Sequence, residues 1–217
     1  MLAKWFQKSL AAAPAPAAAA ARPAARMSPA TADKPPRGLD ELDHQLLCSF
    51  LGTADCVMPL SASEADLAAR AMSARQFEDG EVLVCEGDTA HLNFMLWILE
   101  GEATIETLTD SPKDPLTITV LEPGSTVGEM GLMDGLPRSA TCTASCAMRC
   151  AVLTRDGLRK LAVQHPEVAV KLMAIVCLRI AVRMRDVTEK FRRYVVMTNA
   201  MRDELLAVPH SRPQSLG

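Results

Sequence analysis

Aromatic residues are scarce in this chain. Two tryptophans, one tyrosine and five phenylalanines stand among 217 residues. Aliphatic side chains, alanine and the twelve methionines must therefore fill the core. Charge of one sign is also missing: 23 basic residues face 26 acidic ones, a net charge of -3, so no global basic field recruits nucleic acid. Seven cysteines at irregular spacing are too few for a disulfide scaffold in a chain this long, and reduced thiols in a cytoplasm are expected. No apolar run reaches the length of a membrane helix. What is present is 49% hydrophobic residues, enough for one domain of ordinary size plus appendages.

Met1 to Leu10 carries Leu2, Trp5, Phe6 and Leu10 beside Lys4 and Lys8. Prolines soon interrupt it, which favours a frayed tail over an export signal. A membrane or partner contact by residues 1–10 is the sharper alternative. Residues 1–37 are expected to form a disordered Ala/Pro-rich tail, since prolines prevent a continuous helix and alanine buries little. Order should begin near Gly38.

Residues 38–60 form an expected helical segment. Leu39, Leu42, Leu46, Leu47 and Phe50 recur at steps of three and four. Ser61 and Glu64 match a capping box, with Leu67, Ala68 and Met72 following on one side. From Phe77 the pattern becomes short apolar runs between recurring glycines at 80, 87, 101 and 124. The runs are Val82–Cys85, Phe94–Leu99, Ala103–Leu108, Leu116–Leu121, Thr141–Ala144 and Arg149–Thr154. Ala103–Leu108 alternates as a half-buried strand does, and residues 110–115 make a polar turn. Many short strands with glycine turns predict a small barrel or jelly roll over residues 61–165.

A helix should start near Asp156, with Leu158, Leu161 and Ala162 as its apolar face. Pro166 and Glu167 suit the first turn of a long helix over 166–207. Its stripe Met173, Val176, Ile180, Met184, Val187, Phe191 and Val195 is longer than a small barrel needs. From about Met184 it reads as a seam between two copies of the chain. Residues 208–217 read as a polar tail, so no DNA reader is expected after the long helix.

Between these elements lies Gly128-Glu-Met-Gly-Leu-Met-Asp-Gly-Leu-Pro-Arg-Ser-Ala-Thr141. Glu129 and Arg138 are suited to one neutral hydroxyl and one anion, the two groups a sugar phosphate presents.

Taken with Phe77-Glu-Asp-Gly-Glu-Val-Leu-Val-Cys-Glu-Gly-Asp, Phe94-Met-Leu-Trp-Ile-Leu-Glu-Gly-Glu-Ala and Leu121-Glu-Pro-Gly, this segment resembles a cyclic-nucleotide-binding domain. The family is that of the bacterial catabolite activator and the protein kinase A regulatory subunit. The resemblance covers roughly Ser61 to Met201. It implies an α+β fold: an eight-stranded β jelly roll with N-terminal helices, a short cassette helix and a long C-terminal helix. It also implies that residues 128–141 are the phosphate-binding cassette. The implied ligand residues are Gly128, Glu129, Met130, Gly131, Leu132, Arg138, Ser139 and Ala140. Arg138 would take the phosphate and Glu129 the ribose hydroxyl. Position 127 is Val where the family often has Phe, and position 131 is Gly where Ala is usual. Thr188 matches a threonine that touches the base, or is an exposed helical threonine. Ser139 in place of threonine tilts the ligand toward cyclic AMP over cyclic GMP.

The implied function is a cytoplasmic cyclic-nucleotide (cAMP) regulatory module, not an enzyme and without a cofactor or metal. It would be homodimeric through its C-terminal helix and would act on an unknown protein partner, with no DNA contact. The alternatives are a ligand-free scaffold of the same fold, a Crp-like transcription regulator that lacks its helix-turn-helix, and a receptor for cyclic di-GMP. Cys142, Cys146 and Cys150 are four apart but fall in and between predicted strands, where that spacing gathers no ligands. Cys48 and Cys56 lack ligand spacing, and His44, His91, His165 and His210 form no cluster. Lys190, Arg192 and Arg193 beside Tyr194 read as a solvated helix face.

Overall fold

A computed structural model describes residues 37–52, 56–107 and 116–207. Residues 1–36 of the expected 1–37 tail, the tail at 208–217 and the turn at 110–115 lie outside them, while Arg37 belongs to a strand. The first described element, β1 (Arg37–Gly38), pairs antiparallel with β2 (Ser73–Phe77). Two helices lie between them, α1 (Glu41–Gly52) and α2 (Ala62–Arg70). The roll follows with β3 (Val82–Val84), β4 (Phe94–Glu100), β5 (Ala103–Thr107), β6 (Leu116–Leu121) and β7 (Thr126–Val127). A short helix α3 (Glu129–Asp134) leads to β8 (Thr141–Ala144) and β9 (Met148–Thr154). The described chain ends in α4 (Arg155–Gln164) and α5 (Pro166–Ala207).

The strands form two antiparallel sheets, β1-β2-β9-β4-β7 and β3-β8-β5-β6. This is the expected α+β jelly roll with flanking helices. Nine strands appear among the described residues against eight expected, and two of them, β1 and β7, are only two residues long.

Strand β4 shows why its sequence is an unbroken apolar run. Phe94, Leu96 and Ile98 enter the interior of the roll with Phe77, Leu83 and Val127. Met95, Trp97 and Leu99 point the other way, into a second core with Leu47, Leu51, Leu172 and Ile175 from the helices. A strand buried on both faces loses the apolar–polar alternation. Strand β5 also lacks it: Ala103 is buried and Thr104 to Thr107 are all half-buried. Strand β2, missed in the sequence, is mostly polar and owes its place to five register pairs with β9.

The capping box of α2 is present. Ser61 N donates to Glu64 Oε2 at 2.8 Å, and Glu64 N donates to Ser61 Oγ at 3.4 Å. Lys171 Nζ donates to both Glu64 carboxylate oxygens, at 2.7 and 2.9 Å, and ties α2 to α5. These bonds hold the Glu64 carboxyl down at about 2, the Lys171 contact first and then the Ser61 amide.

Two helix faces differ from expectation. In α1, Leu42 is exposed and Asp43 is buried. Arg149 Nη1 holds Asp43 Oδ1 at 2.8 Å, while its Nη2 holds Glu100 at 2.6 Å. Burial pushes the Asp43 carboxyl up, and Arg149 opposes that. In α4, Leu161 is buried but Ala162 is exposed. Thr154 caps α4, accepting from Gly157 N.

Helix α5 is 42 residues long. Val168, Ala169, Leu172, Ile175 and Val176 bury its first turns against the helix-side core. From Met184 to Glu204 every side chain except Glu189 is exposed. The apolar stripe therefore divides: Met173, Val176 and Ile180 pack on the roll, while Met184, Val187, Phe191 and Val195 do not.

Candidate functional site

Gly128 has φ +80°, in the left-handed region, and turns the chain from β7 into α3. A side chain there would be strained, and its Cβ would run into Arg138 Nη1. Gly131 has a similar neighbour: a Cβ would sit 3.1 Å from Arg138 Nη1 and 3.2 Å from Leu92 Cδ2. The glycine at position 131 therefore makes room for the arginine, beyond its effect on helix propensity.

Arg138 is 4% exposed although it follows a turn. Its Nη1 donates to the Gly128 carbonyl, and its Nη2 donates to the carbonyls of His91 at 2.7 Å and Phe94 at 2.9 Å. Its Cζ lies 5.0 Å from the centre of the Phe94 ring. Main-chain bonds fix the same residue: Arg138 N donates to Asp88 O at 3.1 Å, and Gly87 N donates to Arg138 O at 2.8 Å. The Asp88 carboxylate in turn accepts from His91 Nδ1 at 2.9 Å. Burial lowers the Arg138 pKa, against Asp88, Glu129 and Asp134, which favour its charge. A guanidinium stays charged through such a shift. Its Nε is buried and has no acceptor among the described residues.

Glu129 is 2% exposed. Its Oε1 accepts from Arg183 Nη1 at 2.7 Å, while its Oε2 is buried and has no donor among the described residues. Arg183 comes from α5 and also donates through Nη2 to Thr126 O at 2.6 Å. One carboxylate oxygen is thus neutralised and the other is left to accept.

Both orphaned atoms belong to residues that line one cavity of about 210 Å³. Gly128, Glu129, Met130, Gly131, Arg138, Ser139 and Ala140 contribute to its wall. Val84, Ile105, Val127, Leu136 and Cys142 add an apolar side. Burial pushes the Cys142 thiol up to about 12, so it acts there as a small apolar group.

Two expected residues stand elsewhere. The Leu132 side chain packs in the helix-side core, because it falls on the inner face of α3. Its amide donates to Gly128 O at 3.3 Å, within the helix turn. Thr188 is exposed, away from the cavity within its own chain, and its hydroxyl donates to Met184 O at 2.8 Å. Arg183 is the residue that sequence reasoning missed. It looks like any helix arginine, yet it follows Leu172, Ile175, Val176 and Arg179 at helical steps on the roll-facing side. That spacing is the signal that could have singled it out.

Residues 74–165 match the family model for the cyclic nucleotide-binding domain. The chain is 28% identical over 112 residues to a cAMP-dependent protein kinase regulatory subunit of Yarrowia lipolytica, covering 52% of this chain and 28% of that one. It is 35% identical over 105 residues to a putative potassium channel protein of Rhodopseudomonas palustris, covering 48% and 24%. It thus spans about a quarter of the length of these curated relatives. Among solved structures, a cyclic nucleotide-binding domain from Methylobacillus flagellatus aligns with TM-score 0.65 and 26% identity, over 70% of this chain and 83% of that one. The Thermus thermophilus catabolite activator protein aligns with TM-score 0.51 and 25% identity, over 62% and 61%.

Proposed function

For a chain that carries a domain of the cyclic-nucleotide-binding family, we propose that it is a cyclic AMP receptor module with a regulatory, non-catalytic role. The observation that carries this reading is the pair of buried orphans in one cavity, a donor at Arg138 Nε and an acceptor at Glu129 Oε2. A cyclic nucleotide supplies the complement of each. A phosphate oxygen accepts from Arg138, with the Ser139 hydroxyl and the Ala140 amide beside it. The ribose 2'-hydroxyl donates to Glu129. The apolar wall takes sugar and base.

The partner is a protein, contacted in a cytoplasm, and the chain pairs with a second copy through the exposed half of α5. The stripe Met184, Val187, Phe191 and Val195 supports that pairing, since its steps of three and four place these groups on one face. Thr188 reaches a base from the partner copy in that arrangement. Helix α5 reads the ligand through Arg183, because any contact that competes for Glu129 changes what holds the helix.

Isothermal titration tests the receptor reading. Cyclic AMP gives a saturable heat in the wild type, and Arg138→Ala abolishes or strongly weakens it. A panel with cyclic GMP and cyclic di-GMP fixes the ligand. One observation favours a second reading, a scaffold of the same fold that binds no nucleotide: both Arg138 Nη atoms already donate to backbone carbonyls. No heat with any cyclic nucleotide would select it.

A further inference from the structure

Three more buried polar atoms have no hydrogen-bond partner among the described residues: Trp97 Nε1, Thr126 Oγ1 and Arg179 Nε. They belong to one place. Trp97 and Thr126 are cross-strand partners in the β4–β7 ladder, so their side chains leave the same face of the sheet. That face is the helix side, because Trp97 packs with Leu172 and Ile175. Arg179 reaches it from α5, with Cζ 5.8 Å from the centre of the Trp97 ring. Trp97 is 1% exposed and Thr126 0%. The nucleotide cavity lies on the other face, where Val127, the next residue along β7, points.

The charge is unbalanced there. Arg183, one turn along α5, is paired with Glu129 at 2.7 Å. Arg179 has no carboxylate partner among the described residues, and burial alone lowers its pKa, with no acid opposing it. Of two guanidiniums on one helix face, one has a carboxylate partner among the described residues. All three orphaned groups are able to donate: an indole N–H, a hydroxyl and a guanidinium N–H. Their complement is an acceptor with negative charge. A crease between a packed helix and a sheet suits a compact one.

We propose that the crease between β4, β7 and α5 is a binding site for a small inorganic anion of chloride size, held by Trp97, Thr126 and Arg179. The anion neutralises the second guanidinium and braces α5 on the sheet. The site is independent of the nucleotide reading and stands if that reading fails.

Trp97 is itself the reporter. In the full chain with Trp5→Phe, its emission and the melting temperature are followed without nucleotide as chloride replaces gluconate at constant ionic strength. A saturable emission change and a rise of a few degrees are expected. Arg179→Met should remove both, and Thr126→Val, close in shape, should raise the chloride midpoint several-fold. No chloride response in the Trp5→Phe protein overturns the proposal, and so does an equal response in Arg179→Met. Should Arg179→Met fail to fold, an unchanged midpoint in Thr126→Val overturns it.

Discussion

Arg183 Nη1 and Glu129 Oε1 meet at 2.7 Å although the two residues are 54 positions apart in the chain. The same arginine holds the Thr126 carbonyl, so one α5 side chain fastens both β7 and the start of α3. The long helix and the candidate ligand site are therefore joined by one guanidinium.

Arg183→Met leaves the buried Glu129 carboxylate without its cation. The expected cost is about 1–3 kcal/mol, discounted because Arg183 is partly exposed. Chemical denaturation measures it. Adding Glu129→Gln should recover part of the loss, and a double-mutant cycle with no coupling would contradict the pairing.

Arg138→Lys keeps a positive charge but loses the planar fork and the Nε donor. Weaker cyclic AMP binding is expected, by about 10- to 100-fold, the loss of a charge-assisted bond worth about 1.5–3 kcal/mol. Titration calorimetry reads it directly. Equal affinity in the two proteins would show that the phosphate does not use the fork.

Gly128→Ala should destabilise the fold by about 1–2 kcal/mol, since alanine resists φ +80°. It should also displace Arg138 and weaken binding, because its Cβ meets Nη1. Thermal melting together with titration checks both effects.

Acid should loosen α2 from α5. The Glu64 carboxyl sits at about 2 in the folded chain, below its ordinary 4.5. For an acid held low, the stabilisation is complete above the ordinary value and is lost as pH falls from about 4.5 toward 2. Melting curves across that window should show a decline that Glu64→Gln flattens. An identical slope in the variant would remove Glu64 as its source.

Phe191→Glu puts a charge in the exposed stripe of α5. Analytical ultracentrifugation should show a dimer in the wild type and a monomer in the variant. A wild-type monomer at tens of micromolar would end the seam reading.

The local pieces were legible in the sequence. Ser61 and Glu64 announced the cap of α2, because its donors and acceptors lie three residues apart. The glycine-punctuated apolar runs announced the roll, and Glu129 and Arg138, both named from the sequence, line one cavity. Their side chains alone decide what each can donate or accept. Long-range partners were not legible. Strand β2 is a strand because β9 runs beside it. Leu132 faces a core instead of the cavity because it falls on the inner face of α3. Only the tertiary structure chose Arg183 from the basic residues of α5, sent Arg138 back to three carbonyls, and set Arg179 over Trp97. Helical spacing alone puts Arg183 on the roll-facing side of α5, but each partner depends on distances closed by folding.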